Sequence, residues 1–266
     1  MKITSTMPSF EGVSAGSTAT ARLPIGLTYE SLLLTYSGVT LSQMEEIRII
    51  GNGKTIQRYT SGTRLDDMNK YAGRAAAAGI IAIDFIRYGL LTRLAREITA
   101  LGTGFRGDGK TIELSTLAIE IDVAAGAVAP VLSLKAIQSE ARPMGLLRWV
   151  REFTYNAPAI GEYEISDVPK GHLFNSVQFF NSDVNSVEIQ RDRFAVFKRT
   201  KAENDLVQSD GERVPVAGAF NYDPTESGHG AETLETGRVH DLRFILDMSA
   251  AGAVPVVVES IAPFAA

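Results

Sequence analysis

Leu23-Pro24-Ile25-Gly26-Leu27-Thr28-Tyr29-Glu30-Ser31-Leu32 returns without a gap as Val168-Pro169-Lys170-Gly171-His172-Leu173-Phe174-Asn175-Ser176-Val177. The shared frame is an apolar residue, Pro, any residue, Gly, two of any kind, an aromatic, any residue, Ser and an apolar residue. Two further echoes follow in the same order. Ile47-Arg48-Ile49 and the turn Gly51-Asn52-Gly53 answer to Val187-Glu188-Ile189 and Arg191-Asp192-Arg193, and Ile121-Asp122-Val123 with Gly126 answers to Leu246-Asp247-Met248 with Gly252. Three echoes in one order describe a duplicated domain. A chain of 266 residues is long enough for two domains of ordinary size. Ser139 to Gly145, between the halves, is too short for a free linker, so domains at 1–142 and 143–266 are expected to pack side by side.

The composition narrows the function classes. With 45% hydrophobic and 21% charged residues the chain is an ordinary globular protein. It has no cysteine, which removes disulfides, thiolate metal sites and a cysteine nucleophile. A net charge of −5 gives no global attraction to phosphate, so direct nucleic-acid binding is disfavoured. Met1 to Pro8 lacks the apolar core of a signal peptide, and synthesis in a cytosol is expected. The apolar run Ala75 to Phe85 is interrupted by Gly79 and Asp84, short of the roughly 20 residues of a membrane helix.

Alternating patterns dominate. Strands are expected at Thr18 to Leu23, Tyr29 to Ser37, Glu46 to Tyr59 with a type I′ turn at Asn52-Gly53, Gly79 to Ile86, Thr111 to Val123 and Val131 to Ile137. The second half offers Leu146 to Tyr155, Leu173 to Phe180, Ser186 to Ile189, Arg193 to Lys198, Leu242 to Met248 and Val254 to Ile261. Ser61 caps a short helix through Asn69, with a counterpart at Lys201 to Ser209. Leu90, Leu91, Leu94, Ile98 and Leu101 fit a 3.6-residue period and predict an amphipathic helix ending at Gly102. Tyr222 to Gly237 reads as a long surface loop. Runs of strands with a few short inserted helices describe an all-β sandwich or jelly roll rather than βαβ units.

No motif names a catalytic residue. Gly104 to Thr111 matches the literal pattern of a phosphate-binding loop, but a helical stretch precedes it and a strand follows, the reverse of what a phosphate cradle needs. Gly51-Asn52-Gly53-Lys54-Thr55-Ile56 likewise enters a strand. His172, His229 and His240 have no helical metal spacing. His172 stands where the first half has Leu27, and His229 lies among Asp223, Glu226 and Glu232 in the expected loop. Asp66-Asp67 and Glu203 with Asp205 occupy equivalent places beside the short helices and read as solvated faces. Trp149, Phe153, Tyr155 and Phe179-Phe180 could stack a sugar, though aromatics on strands usually fill cores. No calcium-loop motif is present, and hard-cation binding at oxygen-rich loops stays open, so a structural calcium is left unassigned. The charge-poor tail Val254 to Ala266 suggests docking against a neighbour.

Leu23-Pro24-Ile25-Gly26 with Thr28-Tyr29-Glu30, then Tyr36-Ser37-Gly38-Val39-Thr40 with Ser42-Gln43, resembles the major capsid proteins of corticoviruses, tailless icosahedral phages with an internal membrane. Tectivirus and adenovirus capsid proteins share the plan. The resemblance implies two tandem eight-stranded jelly rolls side by side and a homotrimer forming a pseudo-hexagonal capsomer. It further implies contact with neighbouring capsomers and with other capsid and membrane proteins over a lipid vesicle, virion localisation after assembly in the host cytoplasm, no enzymatic activity and no cofactor. Obligate contacts of about 2,000 to 5,000 Å² would carry that function, with Leu146 to Tyr155, Leu90 to Leu101 and the C-terminal tail as candidate segments. The alternative is a double jelly-roll glycan-active amidase or carbohydrate-binding protein, with a carboxylate-lined cleft near Trp149.

Overall fold

The computed structural model describes residues 1–107, 112–209 and 211–264. It divides into two compact units, Met1–Val150 with the chain end from Ala262, and Arg151–Ile261.

Unit 1 contains β1 (Ile3–Thr6), β2 (Thr18–Arg22), β3 (Thr28–Ser37), β4 (Met44–Gly51), β5 (Lys54–Tyr59), α1 (Gly62–Tyr71), β6 (Ile80–Asp84), α2 (Arg93–Glu97), β7 (Leu101–Gly102), β8 (Leu117–Val123) and β9 (Val131–Ser139). One sheet runs β1-β9-β3-β6, with β7 also on β3, and the other runs β2-β8-β4-β5. Unit 2 repeats this plan with β10 (Leu146–Ala157), β11 (Gly161–Ile165), β12 (Leu173–Phe179), β13 (Val184–Arg191), β14 (Phe194–Thr200), α3 (Lys201–Gln208), β15 (Phe220–Tyr222), β16 (Leu234–Glu235), β17 (Leu242–Met248) and β18 (Gly252–Pro263). Its sheets run β10-β18-β12-β15, with β16 also on β12, and β11-β17-β13-β14. Each unit is a jelly roll whose described residues form eight principal strands in two sheets. The alternation of β8 and β17, with every second residue buried, places Leu117, Ile119, Ile121 and Val123, or Leu242, Phe244, Leu246 and Met248, in the two cores. Each such buried side chain contributes roughly 1.5–3 kcal/mol.

The echoes coincide in register as well as in sequence. Gly26 and Gly171 have φ of 131° and 108°, a region that strains any residue with a Cβ. The Gly26 N–H donates to Thr103 Oγ1 at 2.8 Å, and that hydroxyl donates to the Leu27 carbonyl at 2.6 Å. Thr236 repeats this, accepting from Gly171 N–H at 3.0 Å and donating to the His172 carbonyl at 2.5 Å. β3 and β12 then bulge at the same place, where Tyr29 faces Gln138 and Ser31 faces Ile137, or Phe174 faces Ser260 and Ser176 faces Glu259. The helices also correspond: Asn69 Nδ2 donates to the Ala82 carbonyl, and Gln208 Nε2 to the Asn221 carbonyl.

The hairpins β4-β5 and β13-β14 turn through Asn52-Gly53, with φ of 47° and 76°, and Asp192-Arg193, with φ of 50° and 71°. These are the paired positive φ values that a two-residue turn of this hand requires. Each first turn residue is anchored to the loop before the next long strand. Asn52 Oδ1 accepts the N–H groups of Ser115 and Thr116 at 2.8 and 3.2 Å. Asp192 Oδ1 accepts those of His240 and Asp241 at 2.9 and 3.0 Å.

Several expectations are corrected. The helix over Leu90 to Leu101 shrinks to Arg93–Glu97. Thr92 caps it by accepting from Ala95 N–H, and Leu101 leaves to pair with Tyr29. Strand pairing outweighs the 3.6-residue period there. Gly102 is small because the Pro143 carbonyl would lie 2.4 Å from a Cβ, not because it ends a helix. The strand expected from Thr111 begins at Leu117; Asn52 holds the residues just before it, and Thr111 lies outside the described residues. Tyr222 to Gly237 is not a surface loop throughout, since Asp223, Thr225, Leu234 and Thr236 are buried and it includes β16. Val254 to Phe264 is mostly buried within its own chain as β18 and its last turn of sheet, which explains its low charge without a neighbour. β1 and β11 carry weak alternation and were not expected.

Two outcomes follow for the β13-β14 turn. Arg193→Gly removes the Cβ from a φ of 71° and should raise stability in urea by about 1 kcal/mol. The Asp192 carboxyl is held below its ordinary 3.8 mainly by the Asp241 backbone N–H, then by that of His240. Its contribution is therefore present above the unfolded-state value and lost as pH falls through the lower folded one. Asp192→Asn keeps an acceptor, as Asn52 does, but not the charge, so the variant should be somewhat less stable than the parent near neutrality, with the gap closing on acidification as followed by urea titration at each pH.

Candidate assembly surfaces

Side chains that would serve catalysis are instead used internally. Asp66 is buried, accepting Ala76 N–H at 2.7 Å and lying 2.8 Å from Lys70 Nζ, which also reaches Asp67 at 3.2 Å. Asp66 is thus a structural group rather than a solvated face. Glu203 closes the capping box of α3 with Thr200, whose backbone N–H is the first cause holding the carboxyl below its usual value. Asp205 pairs with Lys201 at 2.5 Å.

The acids around His229 do not converge on it. Asp223 turns inward to Arg213 at 2.6 Å, Glu226 takes both arms of Arg199 at 2.9 and 2.8 Å, and Glu232 accepts from Ser227. His229 itself is exposed, as is His240, whose backbone serves Asp192. His172 Nδ1 is 3.3 Å from Ser260 Oγ. Among the described residues no group of three His, Asp or Glu side chains is placed to hold a metal ion. No helix of the described residues is long and apolar enough to cross a membrane.

Trp149 is 2% exposed; its ring stacks on Phe264 at 5.9 Å and its Nε1–H donates to the Ala262 carbonyl at 3.2 Å, so it belongs to the core of unit 1. Phe179 is fully buried in unit 2, and Phe153 and Tyr155 pack against that same core. No sugar-stacking face results from them. In Gly104 to Thr111, Asp108 to Thr111 lie outside the described residues. The amides of Arg106 and Gly107 both donate to Glu113 Oε1 at 2.9 Å, so a carboxylate of the same loop takes the donors that a phosphate would need.

What the two units do present is apolar surface. In unit 1, Leu91, Leu94 and Ile98 are 54%, 79% and 45% exposed beside a shallow depression lined by Arg93, Glu97, Ala100, Arg142, Pro143 and Gly145. These leucines and Ile98 form the apolar stripe of the expected amphipathic helix, in a segment named above as a candidate contact. Beneath them Glu97 is 2.9 Å from Arg93, 3.5 Å from Arg142 and 3.7 Å from Lys2, whose Nζ also lies 2.5 Å from buried Glu30. Burial opposes the charge on Glu97, and these cations outweigh it, holding the carboxyl below its usual value.

In unit 2, β14 is the outer strand of its sheet, and it exposes Phe194 and Val196, while α3, packed against β14, exposes Leu206 and Val207. Beyond α3 the chain is pinned by the Arg213–Asp223 pair, both side chains under 5% exposed, with Thr225 N–H and hydroxyl donating to the second Asp223 oxygen at 2.7 Å. The alternating strand pattern gave no sign of this pair, because its two members lie on non-periodic chain.

Residues 4–140 match the profile of the viral coat protein P2 N-terminal domain, and residues 147–264 that of the P2 C-terminal domain. The chain belongs to the viral coat protein P2 family. It is 27% identical over 261 residues to the major capsid protein P2 of Pseudoalteromonas phage PM2, covering 94% of this chain and 93% of that protein. The crystal structure of that P2 protein from bacteriophage PM2 superimposes with a TM-score of 0.91 at 26% identity, covering 100% of this chain and 98% of the other. The major capsid protein of Sulfolobus Turreted Icosahedral Virus superimposes at 0.71 with 13% identity over 99% and 97% of the two chains, a likeness of fold. The double jelly roll expected from the resemblance is therefore the fold of this P2 family member. The amidase and carbohydrate-binding alternative gains no support from these comparisons.

Arg213→Met strands Asp223 without its buried cation and should cost about 3–5 kcal/mol in chemical denaturation. Adding Asp223→Asn should recover a large part of that loss, since the amide removes the unpaired charge and keeps an oxygen to accept from Thr225.

Proposed function

We propose that this chain is the major capsid protein of a tailless icosahedral, double-stranded DNA phage with an internal membrane. The observation that carries the reading is the match along nearly the whole chain, in sequence and fold, to the major capsid protein P2 of phage PM2. Residues 1–142 and 143–266 are the two halves of the duplication. Three copies form a homotrimer in which six similar barrels approximate a hexagonal tile, and tiles join neighbouring capsomers and other capsid and membrane proteins of the virion. Assembly takes place in the host cytoplasm, and the finished protein resides in the capsid over the lipid vesicle.

The role is structural, with no catalytic residue. Its free energy comes from burying apolar surface between copies, for which exposed Leu94, Ile98, Phe194 and Leu206 are available. The acidic balance of −5 suits a shell separated from the genome by membrane.

Light scattering of the purified chain, with and without calcium, tests this. A stable species of three times 28.7 kDa, or larger shells, is expected. A strict monomer at high concentration under both conditions would refute the reading.

A further inference from the structure

We propose that the mouth of the second barrel is a binding pocket for a phosphate group, made by side chains in which unit 2 departs from unit 1. The site adds a ligand to the shell-building role and does not depend on it.

The pocket lies where β10, β12 and β18 meet the turn through Pro169 and Lys170, and its volume is about 80 Å³. That is several times the roughly 10–15 Å³ that one water needs, and enough for a small oxyanion. Phe153, Phe174 and Val258, which belong to or pack on the core of unit 2, form its apolar floor. Exposed Arg151 and Lys170, half-buried His172 and the buried hydroxyl of Ser260 form its polar side. No acidic side chain among the described residues lines it.

The repeat shows how such a mouth is closed. Ile25, Leu27 and Tyr29 of unit 1 correspond to Lys170, His172 and Phe174. Gln138, which faces Tyr29 across the ladder, corresponds to Ser260, which faces Phe174. In unit 1 Tyr29 is fully buried, and its hydroxyl donates to the Pro24 carbonyl at 2.5 Å with the Gln138 side chain as a second partner. Unit 2 keeps the ring, drops the hydroxyl and shortens the amide to a serine, which empties space. It also replaces two aliphatic side chains by Lys170 and His172, which line that space with donors.

The polar side is held in place before any ligand arrives. Thr236 accepts from the Gly171 N–H and donates to the His172 carbonyl, which fixes the backbone of the turn. His172 Nδ1 lies 3.3 Å from Ser260 Oγ. Lys170 Nζ donates to the His240 carbonyl at 2.6 Å, which uses one of its three N–H groups. Preorganised donors of this kind lower the ordering cost of binding.

The surroundings carry the same sign. Arg193, Arg238 and His240 are exposed on the two segments that Asp192 ties together through the amides of His240 and Asp241. The nearby acids are engaged: Asp241 with Arg243 at 2.8 Å, Glu235 with the Gly237 N–H at 3.2 Å and Asp167 with the Tyr155 hydroxyl. In a chain of net charge −5 this end is locally cationic. A recess lined by one sign of charge, with apolar walls, concentrates the opposite ion. The Arg151 guanidinium, the Lys170 ammonium, the imidazole and the serine hydroxyl suit the several oxygens of a phosphate better than a carboxylate or chloride.

Calorimetric titration of the purified protein with inorganic phosphate should show a saturable site on each chain, filled in preference to acetate and chloride. Lys170→Ile with His172→Leu installs the unit 1 residues and should weaken binding by about tenfold or more, with the far-UV spectrum and the light-scattering mass of the parent. Arg151→Gln, at an exposed side chain, carries the same expectation should that pair fail to fold. Phe174→Tyr with Ser260→Gln fills the cavity without removing a charge and should abolish binding, which a merely cationic surface would not do. Co-sedimentation with phosphatidic acid vesicles, against phosphatidylcholine vesicles, separates two sources of the group. Binding to the former that inorganic phosphate displaces makes a lipid headgroup the ligand, and phosphate binding without vesicle binding makes it a soluble phosphate. No saturable binding at millimolar phosphate, or binding that the charge-removing and cavity-filling variants leave unchanged, overturns the site and leaves the capsid reading standing.

Discussion

Each unit depends on how one long strand enters its sheet. The chain descends through an apolar residue and a proline, turns at a glycine with a φ that side chains avoid, and is locked there by a threonine from a distant loop. That lock fixes the first residue of β3 or β12, and a strand slipped by one residue would send its buried face to solvent. From the lock follow the bulge two residues into the pairing, the register with β9 or β18, and the placement of β6 or β15 on the far side. Thr103 and Thr236 are therefore as much a part of the repeated motif as the prolines, although they stand far from it in the sequence.

The duplication is conserved in its hydrogen bonds and not in its surfaces. The turn anchors of Asn52 and Asp192, the helix caps of Ser61 and Thr200, and the amide contacts of Asn69 and Gln208 recur at matched positions. Cover diverges: Met68 is buried where Val207 is open, and β5 is flanked where β14 is a sheet edge. Backbone groups lost from their partners cost free energy wherever they are buried, so both copies keep them paired. Surface is free to specialise, and a protein that builds a shell needs two barrels alike in frame and different in contacts.

Composition and motif reading excluded function classes, and the resemblance to corticovirus capsid proteins supplied the positive one. The absence of cysteine, the balance of charge and the lack of a catalytic motif all pointed away from redox chemistry and nucleic-acid binding. The acids that drew attention, Asp66, Glu203, Asp205, Asp223 and Glu226, prove to be caps and ion pairs. Asp66, Glu203 and Asp205 are held by Lys70, Thr200 and Lys201 within their own helices, and Asp223 and Glu226 by Arg213 and Arg199 farther off along the chain; spacing shows which residues are near and not which of them bond.

The sequence by itself determined that the domain is duplicated, that it is built of strands, where the Asn52-Gly53 turn falls, and which family it resembles. Period-two alternation and turn chemistry are local properties, and a repeat is visible wherever two segments share them. Tertiary structure alone decided the fate of Leu90 to Leu101 and of Val254 to Phe264. The first has a helical period but gives up Leu101 to a ladder with Tyr29 and turns Leu91, Leu94 and Ile98 outward. The second reads like a sticky tail but is an inner strand of its own sheet, between β12 and β10. Hydrophobicity states that a side chain wants cover, and only the three-dimensional arrangement states whether the same chain or another one supplies it.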